Sequence, residues 1–135
     1  MNRNEPWTID LPYPPRQLSP NARLHWAPKS RKAKQYRRQC WALTLNAIQD
    51  GDWNLFALRK LAAEGHLVHL MIDVFPPDRR GRDDDNIIAS FKSGRDGIAD
   101  ALNIDDKHFR IHPVVHRESP VDGGRVTVGI ALESR

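Results

Sequence analysis

The sequence predicts one small α/β or α+β domain spanning residues 1–135, a mixed β-sheet with helices packed on it. Segments around Ile9, Ile72 and Val128 alternate apolar and polar residues with the period of two that marks half-buried strands, and segments of helical period separate them. A chain of 135 residues fits one ordinary domain. No internal repeat, low-complexity tract or linker divides it, so the elements are expected to share one sheet.

Trp7, Ile9 and Leu11 alternate with Thr8 and Asp10, forming a first strand that Pro12, Pro14 and Pro15 end. From Arg16 to Pro28 no period holds, and Ser19, Pro20, Asn21 and Pro28 indicate a loop. Between Lys29 and Gln49, Ala33, Tyr36, Cys40, Leu43 and Ala47, with Trp41, Thr44 and Ile48, recur at helical spacing, giving an amphipathic helix whose first half is basic and second half apolar. Asp50 to Asn54 supplies a turn, and Leu55 to Gly65 has room for a brief helix. Leu67 to Phe75 reads as a strand with Val68, Leu70, Ile72 and Val74 on one face and His69 and Asp73 on the other, closed by Pro76 and Pro77. One helix is expected from Asn86 to Leu102, stopped at Asn103. Val114–Arg117 and Val126–Leu132 complete the order as two strands joined by a hairpin loop at Ser119–Gly124.

Charge is unevenly distributed. Nine basic and two acidic residues precede Asp50, a balance of +7, and twelve basic against fifteen acidic follow, a balance of −3. Lys29, Arg31, Lys32, Lys34, Arg37 and Arg38 crowd into one segment, which is either a solvated helix face or a footprint for phosphates. His25 and Trp26 beside it are placed to face DNA. Between Asp73 and Asp106 every acid is Asp: 73, 78, 83, 84, 85, 96, 100, 105 and 106. A chain basic in one region and Asp-rich in another fits a metal-dependent nuclease, which grips a polyanion with the first and holds a divalent cation against it with the second.

On a continuous helix Asp85, Ala89, Lys92 and Asp96 share one face, with Ile87, Phe91, Ile98 and Leu102 opposite. Asp83 just before the helix and Asp106 from the following loop can then join Asp85 around one Mg²⁺, a hard ion that takes carboxylate oxygens and substrate phosphate. Lys92 would stabilise transition-state charge or guide the attacking water, and Arg79, Arg80 and Arg82 would position DNA phosphates. The competing reading of the Asp83–Asp85 run is local, since an Asp at a helix start caps backbone N–H groups and matches the dipole, while Asp96 reads as the i+4 partner of Lys92. Gly94 and Gly97 weaken a helix interior and imply close approach of another backbone, with a dimer partner as one candidate.

Other chemistries are poorly matched. The aspartates lack the alternation and closing Glu of a calcium EF-hand, and Pro113 interrupts the helical spacing of His108, His112 and His116, so these histidines read as surface or strand residues rather than zinc ligands. No P-loop or dinucleotide fingerprint occurs, so no nucleotide cofactor is expected. No segment approaches the ~20 apolar residues of a membrane span. Met1 to Asp10 lacks the order of a secretory signal, and the lone Cys40 suits a reducing cytoplasm, which is the expected location.

Leu11-Pro12-Tyr13-Pro14-Pro15, Ser19-Pro20-Asn21-Ala22-Arg23, Arg82-Asp83-Asp84-Asp85-Asn86, Asp100-Ala101-Leu102-Asn103 and Asp105-Asp106 together resemble the RusA family of Holliday-junction resolvases, the crossover junction endodeoxyribonucleases. The resemblance runs from Trp7 to Leu132, and its most specific parts are the Asp-x-Asp-Asn segment and the Asp-Asp pair. It implies that Asp83, Asp85 and Asp106 ligate Mg²⁺, with Mn²⁺ as a substitute, and that Lys92 is the essential basic residue, with Asp105 the acid beside Asp106. It also implies a homodimer that cuts opposed strands of a four-way DNA junction in recombination and repair. Lys92 follows Asn86 by six residues where the family pattern has about one helical turn, so a lengthened helix is expected. A less selective metal-dependent DNA nuclease and a non-cleaving, junction-binding architectural protein are the alternatives.

Overall fold

Residues 7–20, 22 and 26–132 are described by the computed structural model. His25, Asn21, Arg23 and the Trp26 side chain, which the sequence reading placed at DNA or in a family motif, lie outside the described residues. Four strands, β1 (Trp7–Leu11), β2 (Val68–Phe75), β3 (Phe109–Val115) and β4 (Arg125–Leu132), form one sheet in the order β1-β4-β2-β3. β4 runs antiparallel to both neighbours, and β2 and β3 are parallel, pairing Val68 with Phe109 and Val74 with Val115. The expected mixed α+β sheet is therefore present. The expected hairpin is not: β3 and β4 are consecutive in sequence but are separated in the sheet by β2.

The reason lies in the crossover. A parallel β2–β3 pair needs a connection back along the sheet, here α3 (Asp84–Ser90) and α4 (Lys92–Leu102), which leaves β3 at an edge. Pro113, which cannot donate to a ladder, is tolerated on that edge. The strand starts at Phe109, five residues before the expected Val114, with Phe109 buried in the core at its first position, and it ends at Val115, after which His116 N–H makes a last bond to the Val74 carbonyl at 2.8 Å. The loop back to β4 turns at Gly124, whose φ of +76° favours glycine and where an added Cβ would stand 2.6 Å from the Tyr13 Cβ.

α1 (Trp26–Asp50) starts three residues earlier than the basic run suggests, with Pro28 inside its first turn, where a missing N–H costs nothing. It buries Tyr36, Cys40 and Thr44, and the Tyr36 hydroxyl donates to the Pro12 carbonyl at 2.5 Å. Trp41, expected with the apolar set, faces outward instead. α2 (Leu55–Ala63) confirms the brief helix, capped by the Asn54 side chain accepting from Ala57 N at 3.0 Å.

The single helix expected over 86–102 is two. At Phe91 the backbone takes φ −87° and ψ 0°, so α4 restarts out of phase with α3. The greasy stripe survives, with Ile87, Phe91, Ile98 and Leu102 all buried. On the polar side Lys92 and Asp96 share one face of α4, while Asp85 belongs to the separate helix α3. Asn103 ends α4 in the left-handed conformation that Asn tolerates, as expected. The close backbone approach read from Gly97 is found within the chain: an added Cβ would lie 2.4 Å from the Arg37 carbonyl oxygen and 2.9 Å from Trp41 N, so α1 of the same chain supplies the contact attributed to a dimer partner. At Gly94 the neighbour is the Phe91 ring, 2.4 Å from an added Cβ. Among the described residues no helix is long and apolar enough to cross a membrane.

Candidate nucleic-acid interface and acidic margin

The outward face of α1 is basic. Arg31, Lys32, Lys34, Arg37 and Arg38 are exposed, while Lys29 is half-buried and donates to the Ser19 carbonyl at 3.3 Å. A cavity of about 570 Å³ runs beside this face, lined by Lys34, Gln35, Arg37, Arg38, Trp41 and Asp100. An adjoining cavity of about 520 Å³ shares Arg37 and Asp100 and is bounded by Asp96, Asn103, Asp105 and Asp106. The two form a cleft along the α1–α4 seam, cationic on one side and carboxylate-rich on the other.

Arg37 stands between them. Its guanidinium donates to both oxygens of Asp100, at 2.7 and 2.9 Å, and lies 4.0 Å from Asp96. The two hydrogen bonds from Arg37 hold the Asp100 carboxyl below its ordinary range, and the same contact raises Arg37. Asp96 also pairs with Lys92 at 3.6 Å, the i,i+4 contact expected from the sequence. Lys92 therefore joins the Asp96–Arg37–Asp100 network and makes no ion pair with Asp85. Neither Trp41 nor the Arg37–Asp100 pair was singled out as functional in the sequence. The available signal was the spacing of Asp96 and Asp100, one turn apart and facing the same way as the basic helix packed beside them.

At the start of α3 the aspartates do local work. Asp83 is the N-cap, its Oδ1 accepting from Asp85 N at 2.9 Å. Asp84 accepts from Arg117 Nε at 2.7 Å, and Arg117 also donates to the Arg82 carbonyl, tying the loop after β3 to the loop before α3. Asp85 is exposed. Arg82, assigned to DNA phosphates, is engaged elsewhere: it pairs with Asp78 at 2.8 Å and donates to the carbonyls of Asp78 and Arg80, so it shapes its own loop. The Arg80 backbone N–H and the Arg82 side chain lower the Asp78 carboxyl. Arg79 and Arg80 remain exposed. Asp83 and Asn86 line a further cavity of about 390 Å³ with Tyr13, Arg16, Arg80 and Arg82.

Asp106 lies far from this end. It opens a single 3₁₀ turn, Asp106–His108, whose N-cap Asp105 accepts from Lys107 N at 3.0 Å, a contact that lowers the Asp105 carboxyl. That turn precedes Phe109 and so sits at the Val68 end of the parallel pair, whereas Asp83–Asp85 sit beside Arg117 at the Phe75 end. Six residue steps of strand separate the ends, about 20 Å at 3.3 Å per residue. Among the described residues no three His, Cys, Asp or Glu side chains stand together in a way that could hold a metal ion. Asp83, Asp85 and Asp106 of one chain therefore do not fit a single Mg²⁺. Spacing along the sequence does not reveal this, because the helix between Asp85 and Asp106 carries the chain the full length of the sheet.

Of the three histidines read as surface or strand residues, His112 lies in β3, His108 in the turn before it and His116 just after it. His69 and His112 stack with ring nitrogens 2.7 Å apart, and His116 lies 2.7 Å from Asp73 and stacks on Phe75.

No family model matches the chain. An uncharacterized protein of Xylella fastidiosa is 43% identical over 111 residues, which cover 82% of this chain and 67% of the relative. The chain belongs to the same family as this Xylella fastidiosa protein, whose description assigns no activity.

Proposed function

We propose that the chain is a structure-selective DNA endonuclease of the RusA type, which hydrolyses phosphodiesters in paired, symmetric cuts of a four-way junction and acts as a homodimer in the cytoplasm. One observation carries this reading: an exposed basic helix face, Lys34, Arg37 and Arg38, opens into the same cleft as a carboxylate margin of Asp96, Asp100, Asp105 and Asp106. Cations there neutralise backbone phosphates, and with Asp96 and Asp100 held by Arg37 and Lys92, Asp105 and Asp106 are the carboxylates of the margin left to face the same backbone. The Arg82–Asn86 and Asp105–Asp106 motifs support the same family resemblance.

Within this reading the residues of the chain divide the work. Lys34 and Arg38 bind phosphate. Arg37, locked by Asp100, fixes the distance between the basic and acidic walls. Dependence on Mg²⁺, with Mn²⁺ as substitute, belongs to the proposal and rests on the resemblance. Because Asp83 and Asp85 lie at the opposite end of the sheet from Asp106, their cooperation at one site requires a second copy of the chain, which is why the homodimer is part of the proposal.

The test is cleavage of an end-labelled four-way junction in Mg²⁺, beside duplex and flap controls, by the natural chain and by Asp85→Asn. Paired nicks on the junction by the natural chain alone are expected, with Asp85→Asn still binding. Cutting of every substrate would reduce the protein to a general metal nuclease. Tight binding without cutting in Mg²⁺ or Mn²⁺ would make it an architectural junction binder.

A further inference from the structure

The larger cavity of the α1–α4 cleft carries more than phosphate-binding charge. Lys34, Arg37, Arg38 and Trp41 occupy positions i, i+3, i+4 and i+7 of α1, one continuous face. Trp41 is 39% exposed there, although its backbone is fixed against α4 at Gly97. Among the described residues Lys34 and Arg38 make no ion pair with an acid, and the lone carboxylate of the lining, Asp100, is occupied by Arg37.

We infer that this groove binds an unpaired nucleotide of a nucleic-acid strand, with the base stacked on the Trp41 indole and its flanking phosphates on Lys34 and Arg38. The inference rests on the functional reading above only in taking nucleic acid as the polyanion.

Three physical points select this occupant. The lining carries three cations and one anion, a net +2, which attracts a polyanion and repels an identical +2 face on a second copy. An acidic peptide would satisfy the cations and gain nothing from the indole, whose face is electronegative and disfavours a carboxylate. In a duplex both faces of each base are covered by neighbours, so only an unstacked or single-stranded base can lie flat on a protein ring. The cavity, at about 570 Å³, falls inside the roughly 300–1,000 Å³ span of sites for ligands of this size.

The probe is a fluorescein-labelled 12-nucleotide oligothymidine, compared with an abasic strand of equal phosphate count, both followed by anisotropy in EDTA so that no cleavage intervenes. Trp41→Ala is expected to weaken oligothymidine binding about 5- to 100-fold, the range of one lost base–aromatic stack. Abasic binding should change less than about twofold, and Trp41→Phe should recover most of the loss. Lys34→Gln with Arg38→Gln should weaken both strands and flatten the salt dependence by about 1.4 in log–log slope, two phosphate contacts at roughly 0.7 each. Equal loss of both strands in Trp41→Ala, or no loss, overturns the proposal. A fall in sedimentation coefficient in Trp41→Ala with unchanged base dependence overturns it too, and assigns the face to contact between copies. Junction cleavage with no base-dependent binding removes the groove alone, and base-dependent binding with no cleavage removes the nuclease alone.

Discussion

Replacing Gly97 with Ala tests the seam on which the cleft is built. The new methyl would start 2.4 Å from the Arg37 carbonyl oxygen, 2.9 Å from Trp41 N and 3.1 Å from the Cys40 Cβ. Two of these are backbone atoms of a 25-residue helix, which cannot rotate away as a side chain does. Reaching ordinary contact needs α1 and α4 to part by about 1 Å, and overpacking of that kind costs about 1–3 kcal/mol. A backbone clash belongs at the upper end, about 2–3 kcal/mol, and the better helix propensity of Ala returns about 1 kcal/mol. The net loss is therefore about 1–2 kcal/mol. With a urea m-value of about 1.5 kcal/mol/M for a domain of this size, the midpoint should fall by about 1 M. Urea titrations followed by far-ultraviolet circular dichroism would measure it, with Gly81→Ala as control, since nothing lies within 4 Å of a Cβ there. A Gly97→Ala midpoint equal to or above the natural one would refute the helix contact as described, and with it the fixed placement of Arg37 and Trp41.

Asp100→Asn should cost about 0.5 kcal/mol at pH 7, because both partners of the Arg37 pair are over a third exposed and solvent screens the contact. The Asp100 carboxyl is lowered in the folded state, so its contribution is present above the ordinary Asp value near 4 and fades as pH falls through the folded value; a stability gap that survives at pH 2 would contradict this origin. Burial raises the Cys40 thiol to about 11, which leaves roughly 0.1% thiolate at pH 8. Ellman's reagent should therefore be inert toward the native chain and fast in denaturing urea, and rapid native labelling would show the α1 core to be open. Mixing Asp85→Asn with Asp106→Asn should restore about a quarter of junction nicking, since half the dimers would be mixed and each would hold one intact site made from two chains. Two inactive variants that stay inactive when mixed, while sedimentation shows exchanged dimers, would place those carboxylates in separate roles.

Much of the domain is legible along the chain because its signals are local. The alternation in Val68–Phe75, the prolines after Leu11 and Phe75, and the buried stripe of Ile87, Phe91, Ile98 and Leu102 depend only on neighbours a turn or a strand step away. The charge asymmetry is equally local, and the basic run does become the exposed face of α1. Other features were misread for identifiable reasons. Phe91 looks like one more apolar residue of a helix, and only its packing between Tyr36 and the Gly94 backbone makes it the residue at which the helix breaks. Gly97 announces a close approach without saying whose backbone comes near. Arg82 and Arg37 carry the same charge in the sequence, yet Asp78 folds one back into its loop while Asp100 holds the other at the rim of a cleft.

Sequence by itself determined most of the strands and helices, the buried faces of β1, β2 and the 86–102 segment, and that one stretch is cationic and another rich in aspartate, because periodicity and composition act over a few residues. The tertiary structure alone decided that β3 lies beside β2 rather than β4, that Asp83 and Asp106 stand at opposite ends of the sheet, and that Asp100 joins the groove of Lys34, Arg38 and Trp41. These are consequences of a parallel crossover and of two helices meeting at a glycine. Contacts of that kind join residues tens of positions apart, and their geometry is fixed by the packing of whole elements rather than by the spacing of any one motif.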